Sequence, residues 1–475
     1  MALSLTNTLS GRKEPLRPRE PNHVRLYWCG VTVYSRSHVG HARAFVTADV
    51  LYRYLRARAL RVTFVRNFTD IDDKIIRRAA EERVAPAALA AREIAAFTED
   101  LRWLGCRAPT HEPRATEHIA DMIALIETLV GHDLAYAVAD GSVYFRVRRF
   151  PTYGKLSHRR VEDMVVGDEN DPAKEDAHDF ALWKGAKPGE PSWPSPWGDG
   201  RPGWHIECSA MAVRYLGQPF DIHGGGSDLV FPHHENEIAQ SEAANGVPLA
   251  DLWVHNGMIT AGAEKMSKSL GNILPIAEAA RRVPAEALRL LFLQTHYRAP
   301  LDFSSGRLED VAGAVARLYE ALARADEAGG APPPPDDGAL VHPASPFEID
   351  FCAAMDDDLN AARAVGLVFD RVRELNRLLD AGDQVAAARA RAELGRVGTA
   401  LGLMTARPAA FLEDLRVLRL GRTSLSVTEI EQAIADRNAA RTNKDFRGAD
   451  AIRARLREQG IVLEDTPTGT VWRAQ

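Results

Sequence analysis

Cysteine is scarce in this chain: four in 475 residues, at positions 29, 106, 208 and 352, with no two spaced as C-x-x-C. That spacing excludes a disulfide framework and leaves isolated functional or buried thiols. No run of about 18 apolar residues occurs, so no membrane span is expected. The first residues, MALSLTNTLSGRKEPL, lack an apolar signal core, and the expected location is the cytoplasm. Excess positive charge is missing too. The formal net charge is −6, so any nucleic-acid partner has to be met by local basic surfaces. What is present is a hydrophobic content of 45%, enough for sizeable cores in a multidomain soluble protein.

Residues 24–41, VRLYWCGVTVYSRSHVGH, organise the rest. Strand formers Val24, Leu26, Tyr27 and Trp28 end in Cys29-Gly30, and His38-Val39-Gly40-His41 opens an apolar-periodic helix through Phe45, Val46, Val50 and Leu51. Strand, turn and helix open a nucleotide-binding α/β unit whose ligand sits at the carboxyl end of the strand. Backbone N–H groups at a helix start, with two imidazoles one turn apart, suit a polyphosphate, and Gly40 permits close approach. A helix start that happens to hold two histidines would read the same. Far downstream, Lys265-Met266-Ser267-Lys268-Ser269 puts two lysines three apart on a Ser/Gly-rich loop, suited to phosphate oxygens. The pairing of H-x-G-H with K-M-S-K-S resembles the signature of class I aminoacyl-tRNA synthetases.

Between and beyond these motifs, Arg61–Arg66 reads as a second strand running into the acidic cluster Asp70, Asp72 and Asp73, where helix capping is the plain alternative. Helical patterns at 79–92 and 92–104 read as packing. Residues 110–202 read as an insertion splitting the nucleotide fold, with an acidic, mobile stretch at 167–179. The chain re-enters the core near Gly203, and Phe220–His223 is a strand ending in Gly224-Gly225-Gly226-Ser227-Asp228, where Asp228 is placed for ribose hydroxyls. His233 and Glu237 follow at i,i+4, on one helix face, and His234 at i,i+3 also reaches. Cys29 and Cys208, each read as ending a strand, are candidates to join them around zinc. Spacing alone leaves that open against two buried free cysteines and a capping histidine. Residues 307–404 read as a helical bundle, with Asp356-Asp357-Asp358 on a solvated face. Residues 424–475 form a small module, starting with a Ser426/Glu429 capping box. From Arg437 to Arg457, seven Lys/Arg face two Asp, a local charge reversal suited to nucleic acid.

Taken together, YWCGVTVY with HVGH, RNFTDIDDKII, GWHIECSAM, FDIHGGGSDLVFPHHENEIAQ, KMSKSLGN and the C-terminal segment resemble the cysteinyl-tRNA synthetase family over essentially the whole length. Two departures are Ser35-Arg36-Ser37, where Asp, Leu and Cys are common, and a shortened 167–179 segment. The resemblance implies a Rossmann-type parallel-sheet catalytic domain in halves at 1–109 and 203–257, split by a connective insertion at 110–202. A stem-contact region with the K-M-S-K-S loop at 258–306, the bundle and an anticodon-binding module at 424–475 complete the α/β architecture. It implies ATP-dependent activation of L-cysteine as cysteinyl-adenylate and transfer to tRNA(Cys). Zn²⁺ ligands would be Cys29, Cys208, His233 and Glu237, which selects His233 over His234 by analogy. Mg²⁺ would arrive with ATP. Catalytic roles are implied for His38, His41, Lys265 and Lys268, and ATP contacts for Gly40, Gly226, Asp228 and Lys268. Cysteine contacts are implied for Gly30, Thr69, Trp204 and His223, tRNA contacts for Arg437, Arg441, Lys444 and Arg453, and a monomer without membrane attachment. Two alternatives differ in one feature each. A ligase passing cysteine to an amino sugar needs no 424–475 module, and a non-catalytic tRNA binder has no use for His38, His41, Lys265 and Lys268 together.

Overall fold

The computed structural model describes residues 2–164, 172–261, 264–265, 274–329, 339–423, 425–466 and 469–474. Its centre is a four-stranded parallel sheet of β1 (His23–Thr32), β2 (Arg61–Thr69), β3 (Phe220–Gly226) and β4 (Ala250–Asn256), hydrogen-bonded in the order β4-β3-β1-β2. Helix α1 (Val39–Ala57) links β1 to β2. The strand order reverses between β1 and β3, and a crevice opens there at the carboxyl ends.

Strand periodicity decides which side chains meet. Along β1, Val24, Leu26 and Trp28 point into the core beneath α1, while Tyr27 and Cys29 point to the other face. That face is covered by α2 (Trp204–Leu216) and α3 (Glu235–Asn245), and Cys208 and Ile238 share its core with Cys29. The β1–β2 ladder breaks between Trp28 and Val31. At this bulge the Gly30 N–H donates to Asn67 Oδ1 at 2.9 Å. A Cβ on Gly30 would stand 1.6 Å from the Asn67 carbonyl oxygen, so only glycine fits.

Four expectations are corrected. Cys208 lies within α2, not at a strand end. Every residue from Ile206 to Ala212 is buried, so the segment shows no helical amphipathic period. The helices after β2 span Asp73–Glu82 and Pro86–Trp103, because Arg83 turns left-handed at φ 56° and Pro86 starts the second. Of the stretch read as mobile, residues 167–171 lie outside the described residues, but Asp179 is buried and accepts from Tyr136 Oη at 2.8 Å and Val147 N at 3.0 Å. Asp356 and Asp358 are buried as well. Asp356 accepts from Tyr54 Oη at 2.7 Å and Arg58 at 3.0 Å, while Asp358 accepts from Thr6 N at 2.7 Å and Tyr297 Oη at 2.9 Å. This triplet bolts the bundle to the catalytic fold.

Residues 110–202 hold the Ile119–Gly131 helix and an antiparallel sheet of Ala135–Ala137, Val143–Phe145, Phe180–Gly185 and Gly200–Pro202 in chain order. Helices Ser305–Gly329, Pro346–Asp356, Ala361–Asp380, Gln384–Leu401 and Pro408–Leu420 follow. The C-terminal module packs Val427–Thr442 and Phe446–Glu458 against the Ile461–Thr466/Gly469–Ala474 hairpin around Ile430, Leu456 and Ile461. Its first helix carries the Ser426/Glu429 capping box. Among the described residues no helix is long and apolar enough to cross a membrane.

Candidate active site and metal centre

At the carboxyl ends of the strands lies a cavity of about 510 Å³. Cys29 and Gly30 line it from β1, His38, Gly40 and His41 from the start of α1, Trp204 from α2, and Gly226 and Asp228 from the end of β3. The H-x-G-H turn folds as a capping box: His38 Nδ1 accepts from Gly40 N at 3.1 Å, and His41 Nδ1 accepts from His38 N at 3.3 Å. The rings stack with centroids 3.8 Å apart. The helix cap and two imidazoles facing the cavity are therefore one structure, not competing readings. A Cβ on Gly40 would meet the His38 ring at 2.8 Å, so any other residue there would displace that imidazole from its capping position.

Lys265 stands in a short strand, Glu264–Lys265, paired antiparallel with Ile259–Ala261. Its side chain, and Met266 to Gly271 including Lys268, lie outside the described residues. The flanks are nonetheless placed. Ile259 lines the cavity, and Leu274 O accepts from Val39 N at 3.0 Å beside His38. The C-terminal flank of the K-M-S-K-S segment thus meets the H-x-G-H turn, and the N-terminal flank lines the same cavity.

At the cavity floor four donor atoms converge. Cys29 Sγ and Cys208 Sγ are 3.7 Å apart, Cys29 Sγ and Glu237 Oε1 3.4 Å, His233 Nε2 and Cys208 Sγ 3.4 Å, and His233 Nε2 and Glu237 Oε1 3.1 Å. A tetrahedral zinc site, with bonds of about 2.3 Å to sulfur and about 2.0–2.1 Å to nitrogen or oxygen, has edges of roughly 3.8 Å (S–S), 3.5 Å (S to N or O) and 3.3 Å (N–O). The four distances match those edges within a few tenths of an ångström. His234 also reaches this point. Its Nε2 is 3.2 Å from Cys29 Sγ, and Cys29, His223, His234 and Glu237 form a second possible donor set. His234 Nδ1, however, is paired with His255 Nε2 at 2.7 Å, and its Nε2 stands 3.8 Å from Glu237 Oε1, beyond a tetrahedral edge.

The electrostatics ask for a cation. Burial pushes the Cys29 thiol far above its usual range, with Cys208 and Glu237 adding to the rise. Burial would lower His233, but Cys208 and then Glu237 push it up to about 10. Burial holds His234 well below its usual range and His255 at about 3, so both are neutral. With Cys29 held as a thiol, the buried Cys208 thiolate and Glu237 carboxylate still carry one more negative charge than the His233 imidazolium offsets.

The implied cysteine contacts divide into two groups. Gly30 and Trp204 line the cavity, and the Trp204 ring lies 4.4 Å from that of His233. Thr69 and His223 do not line it. Thr69 Oγ1 donates to Glu207 at 2.6 Å, and His223 Nε2 pairs with Glu237 Oε2 at 2.8 Å while its ring stacks on Trp253. His223 therefore orients, from behind, the carboxylate of the candidate donor cluster. In the C-terminal module, Arg441, Lys444 and Arg453 are exposed, whereas Arg437 is buried in a bidentate pair with Asp465 at 2.8 and 2.9 Å. Its guanidinium fastens the hairpin to the helix. Sequence reasoning missed Lys74 and the run Asn256 to Ile259, which also line the cavity. The latter follows β4 directly, so the strand-end rule that singled out Gly226 would have found it.

Comparison with known proteins agrees in every part of the chain. A model described as tRNA synthetases class I (C) catalytic domain matches residues 15–313, a DALR domain model matches 350–405, and a cysteinyl-tRNA ligase anticodon binding domain model matches 427–473. A cysteine–tRNA ligase of Geobacter sulfurreducens is 52% identical over 482 residues, covering 100% of both chains. That of Halorhodospira halophila is 51% identical over 473 residues, covering 99% of each. Among solved structures, Mycobacterium tuberculosis methionyl-tRNA synthetase in complex with methionyl-adenylate superposes with a TM-score of 0.56 at 18% identity, covering 84% of this chain and 92% of that one. A LeuRS–tRNA ternary complex of Agrobacterium radiobacter gives a TM-score of 0.59 at 11% identity, covering 84% and 86%. These two likenesses establish the fold of class I synthetases.

Proposed function

This chain belongs to the cysteine–tRNA ligase family, and we propose that Cys29, Cys208, His233 and Glu237 hold a zinc ion at the floor of the cleft in which it attaches L-cysteine to tRNA(Cys) at the expense of ATP. The observation that carries the metal assignment is the match of four buried donor atoms to a zinc tetrahedron. Zinc, when bound, supplies a soft Lewis acid that holds a thiol as thiolate at neutral pH, a state a serine hydroxyl does not reach. Shape alone separates such near-isosteres by only ~1–3 kcal/mol. With four protein donors the tetrahedron is closed, and Glu237 is the ligand we assign to yield or share its place, since His223 offers its carboxylate a second partner.

In the first step the cysteine carboxylate attacks the α-phosphorus of ATP, giving cysteinyl-adenylate and pyrophosphate. The chain's part is alignment and charge stabilisation. Gly226 and Asp228 hold the nucleoside end, Gly40 and the helix start the phosphates. His38, His41, Lys265 and Lys268 balance charge on the phosphoryl oxygens, with Mg²⁺ carried by ATP. Gly30 and Trp204 wall the amino acid, and Thr69 acts from behind that wall. In the second step the terminal ribose hydroxyl of tRNA attacks the activated carbonyl and releases AMP. Arg441, Lys444 and Arg453 are the anticodon-side contacts, while Arg437 shapes the module that presents them. The enzyme works as a cytoplasmic monomer in this reading. Cysteine-dependent ATP–pyrophosphate exchange tests the first step and charging of tRNA the second. Exchange without tRNA charging would point to another acceptor, and no exchange at all to a mere tRNA binder.

A further inference from the structure

A second cavity, of about 610 Å³, adjoins the catalytic one and shares Tyr34, His38 and Lys74 with it. Its wall is a single face of the Asp73–Glu82 helix, where Lys74, Arg77, Arg78 and Glu81 stand at i, i+3, i+4 and i+7 while Ile75 and Ala79 turn into the core. Arg36 and Arg92 also line it, making five cations against Glu81, Glu82 and Glu93 in a chain whose net charge is −6. Three of the five are engaged. Arg78 pairs with Glu82 at 2.7 Å, Arg92 with Glu82 at 2.8 Å and Glu93 at 2.9 Å, and Arg36 lies 3.8 Å from Asp100. Lys74 and Arg77 form no ion pair among the described residues, and both are exposed. Lys74 instead lies over the rings of Tyr34 and Trp204, at 5.8 and 5.7 Å.

Exposed cations outside any ion pair, next to aromatic faces, are what single-stranded nucleic acid recognises: phosphates meet the cations and bases stack on the rings. The annex opens onto the cavity where the acyl group waits, and it lies apart from Gly226 and Asp228, which line the catalytic cavity alone. We propose that it receives the single-stranded 3′ end of the tRNA, with Lys74 and Arg77 on its phosphates and Tyr34 beneath a base. The assignment rests on the ligase reading above and adds an entry path to it.

Arg77→Glu, with Arg77→Ala as the milder variant, tests the path by binding and by catalysis. The wild-type protein should bind intact tRNA more tightly than tRNA lacking its last nucleotides. In Arg77→Glu that advantage should disappear, and in Arg77→Ala shrink by roughly ten- to a hundredfold, the scale of one charged hydrogen bond. The salt slope for intact tRNA should fall by about one. Charging should lose efficiency through KM for tRNA, while cysteine-dependent pyrophosphate exchange stays within about twofold of wild type. Equal weakening of both tRNAs would overturn the proposal, because the arginine would then touch another part of the molecule. A parallel fall in exchange would overturn it too, assigning the annex to the phosphates of ATP or to pyrophosphate. Should wild-type protein show no exchange, the ligase reading fails, but the binding comparison still judges the annex by itself.

Discussion

Asp49 on α1 is the residue whose loss should cost this protein most for the fewest atoms. It is 2% exposed and accepts from Arg53 Nε at 2.7 Å, Arg289 Nη2 at 2.7 Å and Arg107 N at 2.8 Å. Arg289, 1% exposed, also donates to the Leu401 and Leu104 carbonyls at 2.8 and 3.2 Å, tying α1 to the bundle. Asp49→Asn would leave two buried guanidinium groups without a carboxylate, a change worth ~3–5 kcal/mol. Arg289→Met should cost about half as much, because Asp49 keeps Arg53 and Arg107 and only two carbonyls lose a donor. Burial works to raise the Asp49 carboxyl, but Arg289 first and Arg53 next hold it below its usual range. A depressed folded-state pKa gives stability that is complete above the unfolded value, about 3.9, and is lost as pH falls through the folded one. Asp49→Asn should therefore lose the acid-side part of the stability profile as well as stability at neutral pH. Denaturant unfolding followed by tryptophan fluorescence reads both, and cysteine-dependent exchange below the transition reads the placement of His38 and His41 at the end of the same helix. If Arg289→Met proves the more damaging, or Asp49→Asn unfolds with the wild type, the ion cluster is not what holds α1.

Three further outcomes are expected. In cobalt-substituted protein, adding cysteine should produce a new sulfur–metal charge-transfer band and adding serine none; an unchanged spectrum with cysteine would make the metal purely structural. Lys268→Ala should slow pyrophosphate exchange by ~3–4 kcal/mol of transition-state stabilisation while cysteine binding is nearly unchanged; exchange near the wild-type rate would remove Lys268 from the chemistry. Deleting residues 424–475 should spare cysteine activation and abolish efficient tRNA charging; a folded truncation that no longer activates cysteine would mean the module supports the active site.

Strand and helix starts were legible where the chemistry is local. Val24 to Trp28 announce β1 because each face of that strand is buried by a different layer, and the H-x-G-H turn announces α1 because its side chains cap the helix they begin. The four candidate metal ligands were legible as residue types, but their convergence was not. Cys29 is aimed by a bulge, which depends on the partner strand, and Cys208 by a helix too uniformly buried to show its period. The choice between His233 and His234 was closed to spacing for a related reason. Phe231, at φ −139° and ψ 132°, interrupts the helical run just before them, and both imidazoles then reach the same carboxylate.

The Asp356–Asp358 triplet shows the same limit from the other side. A run of like charges reads as a solvated face, since a buried carboxylate needs partners that sequence does not display. Here the partners come from far along the chain: Thr6 near the N-terminus and Tyr54 and Arg58 at the end of α1 lie about three hundred residues away or more, and Tyr297 lies 61 residues from Asp358. The last of these matters for the site. Carbonyls of Met258, Tyr297 and Ala299 accept from Arg43, two residues beyond His41, and Gly257 N donates to Tyr297 O at 2.8 Å. Gly257 and Met258 line the catalytic cavity. A buried acid in the bundle thus fixes a tyrosine whose own backbone positions the cavity wall and an arginine of α1. The Gly257–Met258 wall of the cavity and the helical bundle are consequently one packed unit, and side chains that looked like surface charge help to place α1, which carries His38 and His41 at its start.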